Sequence, residues 1–448
     1  MLYRKIEKEI KDFLSAKPNK ILLIDGARQV GKTFIIREVG KKLFKNFVEV
    51  NLLQDWKGEK MFKNIQTLSD FYLQLSVIGG NQLNHADDTL VFLDEIQAYP
   101  HLLTMLKFLR QDNKYTFVAS GSLLGVTLSQ TASIPIGSIH VMQMFPLDFE
   151  EFLIANNVGK DMLENMRQLY QKESELSEEN HNIIMKMFKR YLLCGGLPDA
   201  VNVFLETNNI VKLRKVQSEI HRYYGMDASQ YDSEHRLKIR RVYEYIPSAL
   251  ENKKKRIVFK EIEGGGKKTF YDYQDEFDYL INAGIALEVK AISTPKFPLL
   301  ESVKKNLLKL YLNDVGILTC LLYQNNFNAI FNDETSINLG TVYESVVAQE
   351  LTAHGLSLNY YDNKQNGEVD FLVDDFNSLS VLPIEVKSGK DYTKHSALTR
   401  FLSNPDYSVK RGIVFSNHRQ VRKKGDVLYL PIYYVMFIGQ TDIEEQIP

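Results

Sequence analysis

A short apolar run that leads directly into a glycine-rich loop constrains this chain more than any other feature. Ile21–Asp25 is apolar at its first four positions, and residues 26–33 read GARQVGKT. Helix-forming residues follow from Phe34. A strand, a loop of the form GxxxxGK[ST] and a helix, in that order, are typical of a phosphate-binding loop. The sequence therefore predicts an α/β fold in which this strand belongs to a parallel sheet.

Each residue type in the loop has a chemical reason to be there. Glycines let backbone N–H groups turn towards phosphate oxygens, and the helix N-terminus adds partial positive charge. We expect Lys32 to reach the β- and γ-phosphates and Thr33 to offer its hydroxyl to Mg2+. ATP and Mg2+ are the predicted cofactors. The predicted nucleotide-binding residues are Gly26, Ala27, Arg28, Gln29, Val30, Gly31, Lys32 and Thr33, together with Asp94.

Two carboxylates follow a second apolar run, Leu90–Leu93, in the pattern of a Walker B motif. Asp94 is predicted to hold Mg2+, and Glu95 is predicted to orient and deprotonate the attacking water. A third apolar run ends at Ser120, on the sheet edge where ligands bind in parallel sheets. We expect the Ser120 hydroxyl to contact the γ-phosphate or the lytic water. A solvated strand terminus is the competing interpretation of the acidic pair, and an ordinary turn is the competing interpretation of Ser120.

Chain length and the order of apolar and helical segments predict three domains. A chain of 448 residues is long enough for two to four domains. Apolar runs within the first 200 residues alternate with helical stretches, as in a parallel sheet, and predict an ATPase domain over residues 1–205. A helical region with the character of a winged helix is predicted over 206–299, and a mixed α/β domain over 300–448.

Composition excludes several classes of protein. Two cysteines cannot support a disulfide framework and indicate a reducing compartment. A net charge of -1 argues against a uniformly basic nucleic-acid coat. The N-terminal residues lack the apolar core of a signal peptide. The longest apolar run, Val427–Ile438, is too short to span a bilayer and predicts a buried strand. We expect a soluble, cytoplasmic protein with no membrane partner.

The middle region contains a basic cluster. Residues 236–256 include eight basic side chains and two acidic ones. A winged helix with such flanks can place a helix in a DNA groove. Contact with DNA is therefore one hypothesis. The other is that these charges form a solvated face or contact a protein.

The C-terminal region shows the element order αβββαβ with carboxylates at particular positions. Asp370 lies in one predicted strand, and Glu385 and Lys387 lie in the next, in a pattern similar to the PD-(D/E)XK nuclease core. Strand alternation places Glu385 and Lys387 on one face, and helical spacing turns Glu344 inward. We expect Glu344, Asp370 and Glu385 to hold Mg2+ and Lys387 to stabilise charge during phosphodiester cleavage. A catalytically inactive core that serves only for binding remains open.

Several motifs together resemble one family. GARQVGKT, LVFLDEIQAYP, FPLDFEEFL and GEVDFLVD occur here in the order seen in bacterial and archaeal AAA+-type ATPases that carry a C-terminal domain of unknown function. The resemblance covers nearly the whole chain and implies nucleotide-dependent ATPase activity without a known substrate. Many relatives have Gly-Arg where this chain reads Ile136-Gly137-Ser138. If that arginine senses phosphate, another residue replaces it here, or its role is vacant and hydrolysis is slow.

These observations support three hypotheses. The first is an Mg2+-dependent ATPase that acts on DNA or RNA through a nuclease-like domain. The second is a nucleotide-controlled switch whose C-terminal domain only docks a protein partner. The third is an ATPase that remodels proteins. Oligomer formation is compatible with all three.

Overall fold

The chain forms two compact units. The computed structural model describes residues 2–54, 60–122, 137–228, 236–262, 268–302, 307–334, 337–389, 391–407 and 409–439. The first unit comprises Met1–Phe145 and Asp278–Ile285, and the second comprises Pro146–Phe277 and Ala286–Pro448. Ile136, one of the residues at the departure from the family pattern, lies outside the described residues. Across the described part of the chain, no helix combines the length and apolar character needed to cross a membrane.

A five-stranded sheet forms the centre of the first unit. Its strands are β1 (Ile21–Asp25), β2 (Asn46–Asn51), β3 (Thr89–Asp94), β4 (Thr116–Gly121) and β5 (Ile139–Gln143). Their order is β2-β3-β4-β1-β5, and every neighbouring pair is parallel. Every residue of β1 and β3 is buried, as expected for central strands covered on both faces. The predicted α/β fold with a parallel sheet is confirmed.

Helices in the first unit alternate with these strands. They are α1 (Ile6–Ser15), α2 (Lys32–Leu43), α3 (Leu68–Gly79) and α4 (Pro100–Asp112). Helix α2 begins at the lysine of the glycine-rich loop, so its N-terminus points into that loop. Helix α3 begins with a capping box in which Thr67 and Asp70 bond each other's backbone N–H.

The second unit begins with a helical region. Its helices are α5 (Phe149–Ala155), α6 (Lys160–Gln171), α7 (Glu178–Cys194), α8 (Pro198–Thr207), α9 (Ile210–Ala228), α10 (Arg236–Glu251) and α11 (Phe259–Ile262). Helix α12 (Gln274–Asn282) follows, and its residues from Asp278 onward group with the first unit. The glycines after α7 end that helix, and Pro198 starts α8 at a position where its missing N–H costs nothing.

An eight-stranded mixed sheet completes the second unit. Its strands are β6 (Ala286–Ile292), β7 (Leu308–Leu312), β8 (Asn359–Asn363), β9 (Gly367–Asp375), β10 (Ser380–Lys387), β11 (Gly412–Ser416), β12 (Arg422–Lys424) and β13 (Val427–Pro431). The order is β12-β13-β11-β10-β9-β8-β6-β7. Its helices are α13 (Val315–Tyr323), α14 (Asn328–Phe331), α15 (Leu339–Ala353) and α16 (Ser396–Leu402). The segment from α15 to β11 has the predicted order αβββαβ.

The middle of the chain contributes to both units. Strand β6 pairs with β7 and β8 inside the large sheet, and Asp278–Ile285 groups with the first unit. The domain boundaries after residues 205 and 299 stay predictions. The apolar run Val427–Ile438 is buried, as predicted, but its strand ends at Pro431 and a short 3-10 helix follows.

Candidate functional site

The glycine-rich loop requires backbone conformations that glycine adopts readily. Gly26 and Gly31 have φ angles of +150° and +98°. A β-carbon on Gly26 would collide with the carbonyl oxygen of Met144, whose N–H donates to the Asp25 carbonyl at 2.7 Å. Arg4 fixes the other side of the loop by donating to the Val30 carbonyl at 2.9 Å. The loop is therefore held in one shape by the strands beneath it.

Lys32 lies inside this loop, at the first residue of α2. Its Nζ donates to the carbonyl oxygens of Gly26 and Ala27, each at 2.8 Å. Burial lowers the pKa of Lys32 to about 8, although Glu95, Asp25 and Asp94 oppose that shift. A phosphate placed on the loop would supply the negative charge that this buried ammonium lacks.

Asp94 is the centre of a hydrogen-bond network at the carboxyl edge of the sheet. It accepts from Thr33 Oγ1 at 3.1 Å, from Asn51 Nδ2 at 3.3 Å and from Ser120 Oγ. Strand register explains the arrangement, because Asn51 pairs with Asp94 and Leu93 pairs with Ala119. Burial raises the pKa of Asp94, and the bonds from Ser120 and Thr33 oppose that rise. A hydroxyl beside one carboxylate suits Mg2+, which binds few protein oxygens and keeps substrate phosphates as ligands.

Glu95 has an unusual backbone conformation and a defined set of side-chain partners. Its φ of 59° and ψ of 48° lie in the left-handed region, which a residue other than glycine rarely occupies without a local reason. Its carboxylate accepts from Gln97 Nε2, and from Ser122 Oγ at 3.3 Å. Arg28 Nε in turn donates to Ser122 Oγ at 3.2 Å. The network joins the predicted base to an arginine of the phosphate loop.

The predicted serine differs in position from the serine that contacts Glu95. Ser120 is fully buried and donates to Asp94, so it acts through that carboxylate. Ser122, two residues later, reaches the Glu95 side of the network. Asn51, Gln97 and Ser122 are site residues that the sequence motifs did not single out. Their position at or just beyond the carboxyl ends of β2, β3 and β4 could have indicated them.

Ser138 lies at the opposite edge of the sheet from the phosphate loop. It directly precedes β5, and its carbonyl accepts the N–H of Ile21, the first residue of β1. Each strand has five residues, so this edge is about 16 Å from the carboxyl edge. An arginine at position 138 would not reach the phosphate loop of the same chain. Arg28 already lies within that loop.

The predicted C-terminal residues come together in the second unit. Antiparallel pairing of Ile384 with Phe371 sets Glu385 beside Asp370 on one face of the sheet. Val386 N donates to Asp370 Oδ2 at 2.8 Å, and Lys387 Nζ lies 2.6 Å from Glu385 Oε1. Glu344 approaches from α15, where it is buried.

Two lysines and a tyrosine that the sequence did not indicate complete this carboxylate cluster. Tyr311 OH donates to Glu344 Oε2 at 3.2 Å, and Lys255 forms an ion pair with Glu344 Oε1. Burial would raise the pKa of Glu344, but Lys255 and Lys309 together bring it below its usual value. Lys309 and Tyr311 lie on one face of the otherwise apolar run LKLYL. This pattern could have indicated from the sequence that they belong to a site.

Lys309 links the cluster to a second layer of charges. Its side chain is fully buried, 2.6 Å from Glu368 Oε1 and 4.5 Å from the ring centre of Tyr360. Burial lowers the pKa of Lys309, yet the charges of Glu344, Glu368 and Asp370 outweigh burial and raise it. The buried acids and lysines therefore compensate one another.

The carboxylates have the chemistry of a metal site, but their oxygens are engaged by other groups. Burial, then the charges of Glu344 and Glu385, raise the pKa of Asp370 well above its usual value. Glu385 Oε2 is buried without a hydrogen-bond partner. Within the described ranges, no group of three or more His, Cys, Asp or Glu residues is placed to hold a metal. Lys255 and Lys387 take up oxygens that a metal would need.

The loop, the network around Asp94 and the parallel sheet define the first unit as a P-loop nucleotide-binding domain. Residues 18–153 match the family model described as AAA domain. This match supports an AAA-type ATPase domain in the first unit. Residues 185–328 and 339–435 match two further models, each described as a domain of unknown function, DUF8612 and DUF4143.

More distant similarities extend over most of the chain. The uncharacterized protein MJ1544 of Methanocaldococcus jannaschii is 23% identical over 373 residues, which cover 80% of this chain and 72% of the relative. A Walker-type ATPase of Pyrococcus abyssi is 14% identical, with a TM-score of 0.44, and the match covers 72% of this chain and 96% of that one. The branch migration motor RuvB of Thermotoga maritima is 14% identical, with a TM-score of 0.32 and coverage of 64% and 89%.

Proposed function

We propose that this protein is an Mg2+-dependent ATPase whose hydrolytic site is the loop 26–33 together with Asp94 and Glu95. The hydrogen bond of 3.1 Å between Thr33 Oγ1 and Asp94 Oδ2 carries the proposal. It joins the phosphate loop to the end of β3, and Glu95 is the next residue. A strand terminus with only a structural role would have no need for two acids beside a loop of this kind.

Each residue then has one task in the reaction. Lys32 and the loop N–H groups would bind the β- and γ-phosphates, and Arg28 would add positive charge from the same loop. Thr33 and Asp94 would hold Mg2+, which offsets phosphate charge when it is bound. Glu95 accepts a proton from the attacking water. Ser120 and Asn51 keep Asp94 in position.

Two substitutions separate binding from turnover. Lys32→Ala is expected to abolish nucleotide binding, because it removes the positive charge from the loop. Glu95→Gln is expected to bind ATP normally and to lower kcat about a hundredfold or more, since the amide cannot take a proton. Binding is measured with a fluorescent ATP analogue and turnover by phosphate release. Turnover near the wild-type rate in Glu95→Gln would exclude Glu95 as the base.

A second activity is proposed for the C-terminal carboxylate cluster, namely cleavage of phosphodiester bonds in DNA or RNA. The observation that favours it is the convergence of Glu344, Asp370 and Glu385 from three elements beside Lys387. Such a set can position water and offset developing charge when a divalent cation is bound. Exposed Lys253 and Lys254 add positive charge that suits a phosphate backbone.

Cleavage is tested with labelled single-stranded and double-stranded DNA and RNA in the presence of Mg2+ or Mn2+. Wild-type protein is expected to cut at least one of these substrates, and Asp370→Ala is expected to cut none. Asp391→Ala, which alters a carboxylate that is 77% exposed, is the matched control. Failure of the wild-type protein on every substrate would leave the docking of a protein partner as the function of this domain.

A further inference from the structure

Strand β12 carries three consecutive cations at one end of the large sheet. Arg422, Lys423 and Lys424 are all exposed, and β12 is the terminal strand in the sheet order. Within the described ranges, none of the three has a carboxylate at ion-pair distance. Charges on an edge strand discourage pairing with other chains. That role requires exposure alone, so it does not explain the aromatic contacts of Arg422.

The Arg422 guanidinium lies over two tyrosine rings. Its central carbon is 4.8 Å from the ring centre of Tyr429 and 5.5 Å from that of Tyr392. Tyr392 also stacks on His418, with 4.1 Å between the ring centres and 30° between the planes. Because a guanidinium stacks through its flat face, its N–H groups stay available at the edge for an anion.

Strand register brings a second cation to the same side of the sheet. Arg422 pairs with Tyr429, and Lys424 pairs with Val427. Side chains alternate along a strand, so Arg422 and Lys424 lie on one face of β12 and Lys423 lies on the other. Tyr429 and Val427 belong to the apolar core that also includes residues of helix α16. The two cations therefore lie on the α16 side of the sheet.

Two histidines indicate the sign of the charge on this side. His395 directly precedes α16. Burial lowers the pKa of His395, a backbone hydrogen bond opposes that shift, and the charges of Lys387 and Lys424 add to it. Burial also lowers the pKa of His418, and the charge of Arg422 lowers it further. The charges that act on both rings are positive, so this face attracts anions.

We propose that this face binds the phosphate backbone of a single-stranded nucleic acid. We call it the edge patch, and its residues are Tyr392, His395, His418, Arg422 and Lys424. Cations that neutralise phosphates and aromatic rings that stack on unpaired bases are the two parts of such a surface. The charge of Lys387, beside the proposed cleavage site, also acts on His395. The inference rests on the second proposed activity for the class of partner, although binding a strand does not require cleavage.

The salt dependence of binding tests the edge patch. A fluorescein-labelled oligothymidylate is titrated with the full chain at several KCl concentrations, without divalent cations, and its anisotropy gives Kd. The double variant Arg422→Ala, Lys424→Ala is expected to bind about tenfold more weakly or worse. Its slope of log K against log salt should be smaller by about 1.4, since each phosphate contact with a single strand contributes about 0.7. The double variant Lys212→Ala, Lys215→Ala removes two exposed lysines of α9 and should match the wild type.

Lysine acetylation followed by mass spectrometry gives a second measurement, on the unaltered chain. The oligothymidylate is expected to protect Lys424 more than Lys423, because their side chains lie on opposite faces of β12. No binding by the wild type, equal protection of both lysines, or equal Kd for the edge-patch variant and the wild type would overturn the proposal. Tighter binding of duplex DNA or of polyglutamate would assign the face to that partner instead. Binding that depends on the edge patch without any cleavage would retain the proposal and refute only the cleavage activity.

Discussion

Arg28 connects the phosphate loop to the predicted catalytic base through a single serine. It is part of the phosphate loop, and its Nε bonds Ser122, which also bonds Glu95. We infer that Arg28 supplies the phosphate-sensing charge for which residues 136–138, Ile-Gly-Ser, offer no arginine. A residue at position 138 cannot do so within one chain, because it lies at the amino edge of the sheet.

Substitution of Arg28 is therefore expected to affect turnover more than binding. Arg28→Ala should lower kcat by about a hundredfold, the usual effect of removing one group that stabilises transition-state charge, and should change KM much less. Arg37→Ala removes a 46% exposed arginine from α2 and is the matched control. Steady-state kinetics of phosphate release decide the outcome. A rise in KM at constant kcat would show that Arg28 only binds ground-state ATP.

Asp314 is a buried acid that caps helix α13. It caps the N-terminus of α13 by accepting from Ile317 N at 2.9 Å, and it accepts from Gly196 N at 2.7 Å. Burial raises its pKa from 3.8 to about 6, although the backbone bonds oppose the rise. The folded state therefore binds the proton more tightly than the unfolded chain does.

The sign of the pH dependence follows from that difference. The contribution of Asp314 to the free energy of unfolding is largest below pH 4 and falls by about 3 kcal/mol as the pH rises past 6. The loss in melting temperature between pH 4 and pH 7 should be larger for the wild type than for Asp314→Asn, which cannot titrate. Asp391→Asn should behave as the wild type. Parallel pH profiles for Asp314→Asn and the wild type would contradict this assignment.

At the scale of elements, the completely buried strands β1 and β3 were predictable. The runs within β1 and β3 are apolar at consecutive positions because both faces are covered, and that pattern is visible in one sequence. Strand β5 was missed because it lies at the edge of the sheet, where only Ile139 of its five residues is buried. The predicted strand over Val427–Ile438 was too long, since Pro431 ends it while the burial continues.

At the scale of the whole molecule, motifs identified the carboxylates but not their partners. Asp370, Glu385 and Lys387 lie on neighbouring strands, so spacing and alternation place them together. Lys255 and Lys309 lie 89 and 35 positions before Glu344, and only the tertiary fold brings them to it. Local sequence does not show which carboxylate such a lysine meets, and the basic run 236–256 therefore predicted an outer face although the side chain of Lys255 is only 13% exposed.

The two proposed sites are expected to operate independently, because their residues belong to different units. Lys32, Asp94 and Glu95 lie in the first unit, and Asp370 and Glu385 lie in the second. Substitutions at sites that share no partners usually add within about 0.3–0.5 kcal/mol, or roughly twofold in rate. Asp370→Ala should therefore keep ATP turnover within about twofold of the wild type while it loses cleavage.

The reciprocal variant completes this prediction. Glu95→Gln should lose ATP turnover and keep basal cleavage in the absence of nucleotide, again within about twofold. Phosphate release and cutting of a labelled oligonucleotide are measured on the same preparations, with Asp391→Ala as the control for both. A larger fall in ATP turnover in Asp370→Ala would show that the carboxylate cluster controls the ATPase. In that case the C-terminal unit would act as a regulator of hydrolysis, as a nucleotide-controlled switch requires.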